Sequence, residues 1–154
     1  MRTRNRLVGI VLPLALALAA ATPVLADTTG GGGGADLGLD AITITHGSVN
    51  TRTGIATVSG TVDCSQDLTG AFVSVELHQV VGRFHTLRGW GGTPVDCLAS
   101  DGSATWTMTI QPDQGKFANG RAVVSAFAEI DVCTDVDCFS DGAGLGPVPI
   151  RLGR

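Results

Sequence analysis

The feature that most constrains this chain is an alternation of apolar and polar residues with a period of two. It is clearest in residues 71–78, where every odd position is apolar and the even positions carry Phe72, Ser74, Glu76 and His78. Successive side chains of a β-strand point to opposite faces, so this pattern is typical of a strand with one buried face. Since no stretch from residue 40 onward has a helical period, the sequence predicts an all-β protein.

Six further segments are predicted strands on the same reasoning. They cover residues 41–45, 53–64, 83–90, 104–110, 122–132 and 148–152. The 83–90 segment is the weakest, because a Gly89-Trp90-Gly91-Gly92 run breaks it. Residues 47–50 are predicted to form a turn, and Pro147 and Pro149 suit an edge strand. About seven antiparallel strands separated by turns predict an immunoglobulin-like β-sandwich, with a closed barrel as the alternative.

The four cysteines predict two disulfides. Three connectivities are possible, but Cys133 and Cys138 stand close together at the ends of a short acidic loop, which leaves Cys64 to pair with Cys97. A zinc site is the alternative, although these spacings fit no zinc pattern. Disulfides form and persist in oxidising compartments, so the pairing agrees with export.

The first 26 residues have the anatomy of an export signal. Three arginines among the first six residues precede an apolar run over residues 7–21, and Val24-Leu25-Ala26 offers a cleavage site. The apolar run is short for a membrane span, so cleavage is favoured over an N-terminal anchor. Residues 1–26 are therefore a predicted signal peptide, 27–39 a flexible glycine-rich tether and 40–154 the β-domain. The protein is expected to be secreted.

The charge balance argues against two classes of partner. Three of the ten basic residues and none of the fourteen carboxylates lie in residues 1–26, so residues 27–154 carry a formal charge of −7. With Lys116 as its single lysine, the predicted domain lacks the basic surface that binds nucleic acid or anionic lipid. We expect no nucleic-acid partner and no membrane association after signal cleavage.

No catalytic constellation is recognisable. The sequence has no Gly-x-Ser-x-Gly elbow, and its histidines are scattered. No catalytic residue and no cofactor are predicted. A secreted hydrolase is the enzymatic alternative, and it requires two or three of the following side chains to converge: His46, Glu76, His78, His85 and Asp96.

The most concentrated charge lies in residues 131–141. It consists of Asp131, Asp135, Asp137 and Asp141. Calcium could use such oxygens, but Phe139 stands where an EF-hand has a third oxygen ligand, and no glutamate completes the loop. A solvated hairpin tip is the favoured interpretation, and no metal site is predicted.

The aromatic residues indicate a possible contact surface. Trp106 shares its phase with Met108 and Ile110 and is predicted to lie in the core. A tryptophan between glycines is hard to bury on a regular strand, so Trp90 is different. We predict a ligand or partner surface formed by Phe84, His85, Arg88 and Trp90. The alternative is a loop tryptophan folded back over the domain.

Two resemblances follow from short motifs. The series Gly60-Thr61-Val62-Asp63-Cys64, Gln79, Gly82-Arg83, Cys97, Trp106, Pro112, Gly115-x-Phe117 and Gly120-x-Ala122-x-Val124 resembles small exported actinobacterial proteins grouped as a domain of unknown function. That resemblance implies an exported β-domain and no activity. Residues 133–147, with Cys133-Thr134, Cys138, Ser140-Asp141 and Gly144 to Pro147, are similar to the last hairpin of neocarzinostatin-type apoproteins, which are immunoglobulin-like carriers of an aromatic chromophore.

These observations favour a secreted, non-enzymatic interaction module with a protein or cell-wall partner. The first alternative is a carrier of a small molecule, which predicts a concave apolar pocket beside Gly89 to Gly92. The second is the hydrolase. The neocarzinostatin-like resemblance supports the fold more than the carrier function, because the other disulfide is far wider here than in that family.

Overall fold

Seven β-strands make up the computed structural model, which describes residues 38–64, 70–83, 85–98, 102–133 and 135–154. In chain order they are β1 (Leu39–Asn50), β2 (Ile55–Cys64), β3 (Ala71–Val81), β4 (His85–Val95), β5 (Ser103–Pro112), β6 (Gly120–Cys133) and β7 (Cys138–Leu152). The predicted signal peptide and nearly all of the predicted tether lie outside the described residues.

The strands form one nearly closed sheet in the order β1-β2-β5-β4-β3-β6-β7, and every pair in this order is antiparallel. Two seams in it are short. β4 meets β5 in only two residue pairs, Gly89 with Pro112 and Trp90 with Gln111. β1 and β7 meet through a parallel bridge between Ser48 and Gly153. The prediction of an all-β protein with seven antiparallel strands is confirmed.

The core consists of the inward-facing residues of all seven strands. The alternation predicted for residues 71–78 is observed, since Val73, Val75 and Leu77 are buried. Trp106 is also in the core, as predicted, although its indole N–H has no hydrogen-bond partner among the described residues. Phe117, in the connection between β5 and β6, closes one end of the core.

Both predicted disulfides are present. Cys64 at the end of β2 is bonded to Cys97, which follows β4. The bond therefore connects the two parts of the sheet that meet at the short seam between β4 and β5. Cys133 is bonded to Cys138 and closes the hairpin of β6 and β7. No cysteine is left free.

Three predicted boundaries are corrected by the structure. Residues 47–50 continue β1 in place of the predicted turn, and the chain turns at 51–54, where Gly54 adopts a positive φ of 78°. β4 runs unbroken through residues 89–92. The last strand begins at Cys138, ten residues before the predicted 148–152 segment. The part of this strand before residue 148 was missed because small residues such as Ala143 and Gly144 produce no alternation of large apolar and polar side chains.

Gln79 is a polar residue of β3 in an inward, buried position. Its side-chain amide donates a hydrogen bond of 2.7 Å to the carbonyl oxygen of Ala118, and its side-chain oxygen accepts one of 2.8 Å from the Ala118 N–H. A longer contact of 3.4 Å reaches the carbonyl oxygen of Arg121. This amide therefore holds the connection between β5 and β6 against the sheet, beside buried Phe117.

Candidate functional site

The predicted surface of Phe84, His85, Arg88 and Trp90 is only partly brought together. Arg88 and Trp90 point outward from the same side of β4, and Trp90 is 65% exposed. His85 is exposed at the first residue of the strand, but it has the phase of buried Leu87. Phe84 lies outside the described residues.

Trp90 lies on a regular strand, and the glycines on either side of it allow that strand to pack closely against β5. A Cβ at Gly89 would lie 2.5 Å from the carbonyl oxygen of Gln111 and 2.7 Å from the Ile110 side chain. A Cβ at Gly91 would lie 3.2 Å from the Met108 sulfur. Only glycine lets β4 approach β5 this closely. The indole is consequently held outward on the sheet, and the alternative of a loop tryptophan folded back over the domain is wrong.

Five large apolar side chains share this outward face of β4, β3 and β6, and we call them the aromatic face. Their positions follow from the strand registers, in which Glu76 lies opposite Trp90 and Phe127 lies opposite Ser74. The members are Phe72, Val80, Trp90, Val123 and Phe127, all at least 39% exposed. Several large apolar side chains exposed on one face of a domain can mark an interaction site.

Two of these aromatic rings lie across glycines of the neighbouring strand. A Cβ at Gly92 would stand 2.5 Å from the ring of Phe72, and one at Gly142 would stand 2.6 Å from the ring of Phe127. The Phe72 ring therefore lies over β4, two residues along the strand from Trp90, or about 7 Å at strand spacing. Rings packed against backbone lose little freedom when a partner covers them, so this face is preorganised.

Polar groups stand between the apolar side chains. The imidazole Nε2 of His78 lies 2.7 Å from a carboxylate oxygen of Glu76. Arg88 stands directly opposite His78 on β4, and the Ser74 hydroxyl donates a 3.3 Å hydrogen bond to the carbonyl oxygen of Phe127. The face thus combines aromatic side chains with an arginine, and both are enriched at protein interfaces.

Of the five side chains named for the hydrolase alternative, Glu76 and His78 come together and the other three lie apart from them. Glu76 and His78 touch, but His46 belongs to β1, at the far side of the strand order. His85 begins β4 and Asp96 follows its last residue, so the two are about 35 Å apart at the usual rise of a strand.

The interior beside the glycine run is filled, whereas the carrier alternative predicts an apolar pocket there. The contacts that a Cβ at Gly89 or Gly91 would make leave no space between these two glycines and residues 108–111 of β5. A shallow cavity of about 180 Å³ lies nearby and is lined by Thr86, Leu87, Arg88, Asp113 and Gln114. Four of its five lining residues are polar, and it is smaller than the usual ligand pocket of about 300 Å³ or more.

The acidic hairpin projects at the end of the sheet where β1 begins. One carboxylate oxygen of Asp141 accepts a 3.2 Å hydrogen bond from the Leu39 N–H, and the other accepts one of 2.8 Å from the Gly142 N–H. Asp131 is exposed. Within the described ranges, no three histidine, cysteine, aspartate or glutamate side chains are grouped as a metal site requires.

Comparisons with protein-family models, curated proteins and solved structures found no match to this chain. In the described part of the chain, no helix is long and apolar enough to cross a membrane.

Proposed function

We propose that this protein is an exported, non-enzymatic interaction module that binds a protein partner through the aromatic face. The observation that carries the proposal is the exposure of Trp90 on the same face as the Phe72 ring, which lies over Gly92 two residues along β4. Tryptophan and arginine anchors dominate the energetics of protein interfaces, and Arg88 extends from the same side of β4 as Trp90.

Export is part of this proposal. The two disulfides are typical of proteins in oxidising compartments. The signal-like residues 1–26 supply the second argument. A partner of such a protein would lie in the cell envelope or outside the cell.

The architecture in this proposal is an immunoglobulin-like sandwich. Strands β1, β2 and β5 would form one layer, and β4, β3, β6 and β7 the other. The short pairing between β4 and β5, together with the single bridge between β1 and β7, supports a division at these two seams. The similarity of residues 133–147 to the last hairpin of neocarzinostatin-type proteins points the same way.

A photo-crosslinking experiment tests the proposal. A benzophenone amino acid replaces Phe72 on the aromatic face or, as a matched control, Thr57 on the outward side of β2. Each protein is irradiated with the envelope and medium fractions of the producing organism. We expect one defined adduct at position 72 and none at position 57. An absence of adducts, or equal labelling at both positions, would contradict a binding role for the aromatic face.

A tryptophan variant supplies the energetic control. Trp90→Ala removes the largest exposed side chain without touching the core, so its unfolding free energy should stay within about 0.5 kcal/mol of the wild type. The adduct at position 72 should be lost or weakened at least tenfold, as expected for an interface anchor. Unchanged labelling in this variant would show that the adduct reports proximity without recognition.

A further inference from the structure

The two seams of the sheet are protected very differently against pairing with another strand. At the β1–β7 seam, Val49 donates a 2.9 Å backbone hydrogen bond to Gly153, and Gly153 donates one of 3.0 Å to Gly47. β1 also has two register shifts, and β7 contains Pro147 and Pro149. Bulges and prolines of this kind prevent the pairing of edge strands between molecules.

The β5 side of the other seam has an open backbone edge. The Cys64 N–H donates a 3.0 Å hydrogen bond to the Gly102 carbonyl oxygen. Pairing alternates along an antiparallel ladder, so the even-numbered residues of β5 bond to β2 and the odd-numbered ones point away. Two of these odd-numbered residues are already in contact with β4. Gln111 is paired with Trp90, and the Thr109 carbonyl oxygen would lie 3.5 Å from a Cβ at Gly91.

Thr105 and Thr107 are therefore left with edge-facing N–H and C=O groups. Neither residue belongs to a β4–β5 residue pair, since within the described residues that register consists of Gly89 with Pro112 and Trp90 with Gln111. The edge of β4 across the seam offers them no continuous pairing, because Pro94 occupies an edge-facing position and has no N–H. A row of unpaired backbone groups is a ready template for another strand.

β5 also lacks the features that normally block such pairing. From Ser103 to Gln111 it contains no charged residue and no proline. Its ladder with β2 runs without a register shift over eight residue pairs. Its outward positions carry Thr105, Thr107 and Thr109, all exposed. The edge is straight, uncharged and rich in a residue that favours strands.

We propose that this edge binds β5 of a second copy of the chain in an antiparallel pair related by a two-fold axis at Trp106. Thr105 would then stand opposite Thr107 of the second copy, and these two positions would exchange four backbone hydrogen bonds across the axis. The proposal is independent of the aromatic face.

Three observations favour a second copy over an unrelated strand. The strand is uncharged, so two copies meet there without like-charge repulsion although residues 27–154 carry a formal charge of −7. Opposed threonines would pair through their hydroxyls, as Thr43 and Thr61 already do at 2.7 Å between β1 and β2. In a two-fold pair the open β5 edge of each copy is paired with that of the other, so assembly stops at the dimer. Because an edge-only interface is small, we expect a concentration-dependent dimer.

Amide hydrogen exchange combined with sedimentation tests the proposal on the full protein with both disulfides formed. As concentration rises and dimer appears, the amides of Thr105 and Thr107 should become protected. The amides of Trp106 and Met108, already bonded to β2, should stay protected throughout. A chain that remains monomeric at millimolar concentration would overturn the proposal. So would a dimer in which both threonine amides still exchange rapidly.

Two variants make the test specific. Thr107→Pro removes an N–H that faces the open edge and leaves the ladder with β2 intact, so dimerisation should weaken about tenfold or more. If that variant fails to fold, Thr105→Lys with Thr107→Lys places like charges opposite each other and should have the same effect.

The matched control is Thr57→Lys with Ser59→Lys, which adds the same charge to the same face, but on central strand β2. The control should dimerise like the wild type. Equal weakening in the control and the β5 variants would overturn the assignment to the β5 edge. Loss of the dimer in Trp90→Ala, with retention in Thr107→Pro, would instead place the contact on the aromatic face.

Discussion

Replacing Gln79 by methionine isolates the contribution of one buried amide to the stability of this sheet. The two side chains are similar in length and volume, so Gln79→Met keeps the packing around Phe117 and removes only the hydrogen-bonding groups. Both the N–H and the carbonyl oxygen of Ala118 lose a partner, from contacts of 2.8 and 2.7 Å. Gln79 is buried but Ala118 is exposed, so water can partly replace the lost partner of each Ala118 group.

The expected cost follows from that geometry. Each of these hydrogen bonds contributes about 1 kcal/mol net, so the variant should lose about 2 kcal/mol of unfolding free energy. At about 4 °C per kcal/mol for a domain of this size, the melting temperature should fall by about 8 °C. Val80→Thr, an exposed change one residue along β3, should stay within about 0.5 kcal/mol.

Urea unfolding monitored by intrinsic fluorescence measures the difference. An unchanged denaturant slope in Gln79→Met would show that the two proteins unfold between the same states. Exchange of the Ala118 amide should accelerate in the variant, because its acceptor has gone. If Gln79→Met unfolds within about 0.5 kcal/mol of the wild type, the amide does not hold the β5–β6 connection, and our reasoning about it is refuted.

Two further perturbations test the packing of the sheet. Gly89→Ala should cost about 2 kcal/mol, because its Cβ would stand 2.5 Å from a backbone oxygen. Gly144→Ala, whose nearest contact would be an ordinary 3.5 Å, should be close to neutral by the same thermal unfolding measurement, and equal effects would contradict this account. Replacing Cys64 and Cys97 by alanine opens a loop of 33 residues and should cost about 4 kcal/mol, measured by denaturant unfolding. A cost below about 1 kcal/mol would show that this bond constrains the unfolded chain little.

The sequence predicted best those strands that have one buried and one exposed face. In β3 and β5 the alternation is regular, and the structure places Leu77 and Trp106 inward as the phase required. β4 was underestimated because glycine has no side chain to contribute to a pattern. Glycine is required at position 89 because the backbone of Gln111 approaches it closely. Gln111 belongs to β5, which follows later in the chain, so the local sequence of β4 does not indicate this contact.

The candidate site was predicted only where local sequence could indicate it. Trp90 was recognisable as an exposed aromatic among glycines, and the outward phase of Phe72 was visible in the alternation of β3. That Phe127 joins them depends on the register of β6 against β3, where it stands opposite Ser74. Strand register over 53 residues of separation is a property of the folded sheet, and no local pattern encodes it.

The parallel seam between β1 and β7 also determines how this protein bears mechanical load. Chain enters the sheet at Leu39, beside Asp141, and leaves it at the opposite end, where Gly153 is bonded to Gly47 and Val49. A pull on both termini would therefore slide β1 and β7 past each other and strain these hydrogen bonds together in shear, instead of opening them one after another. If the N-terminal side is fixed to a support and the C-terminal side is drawn away, these bonds carry the tension first, and the rest of the sheet stays folded until they break.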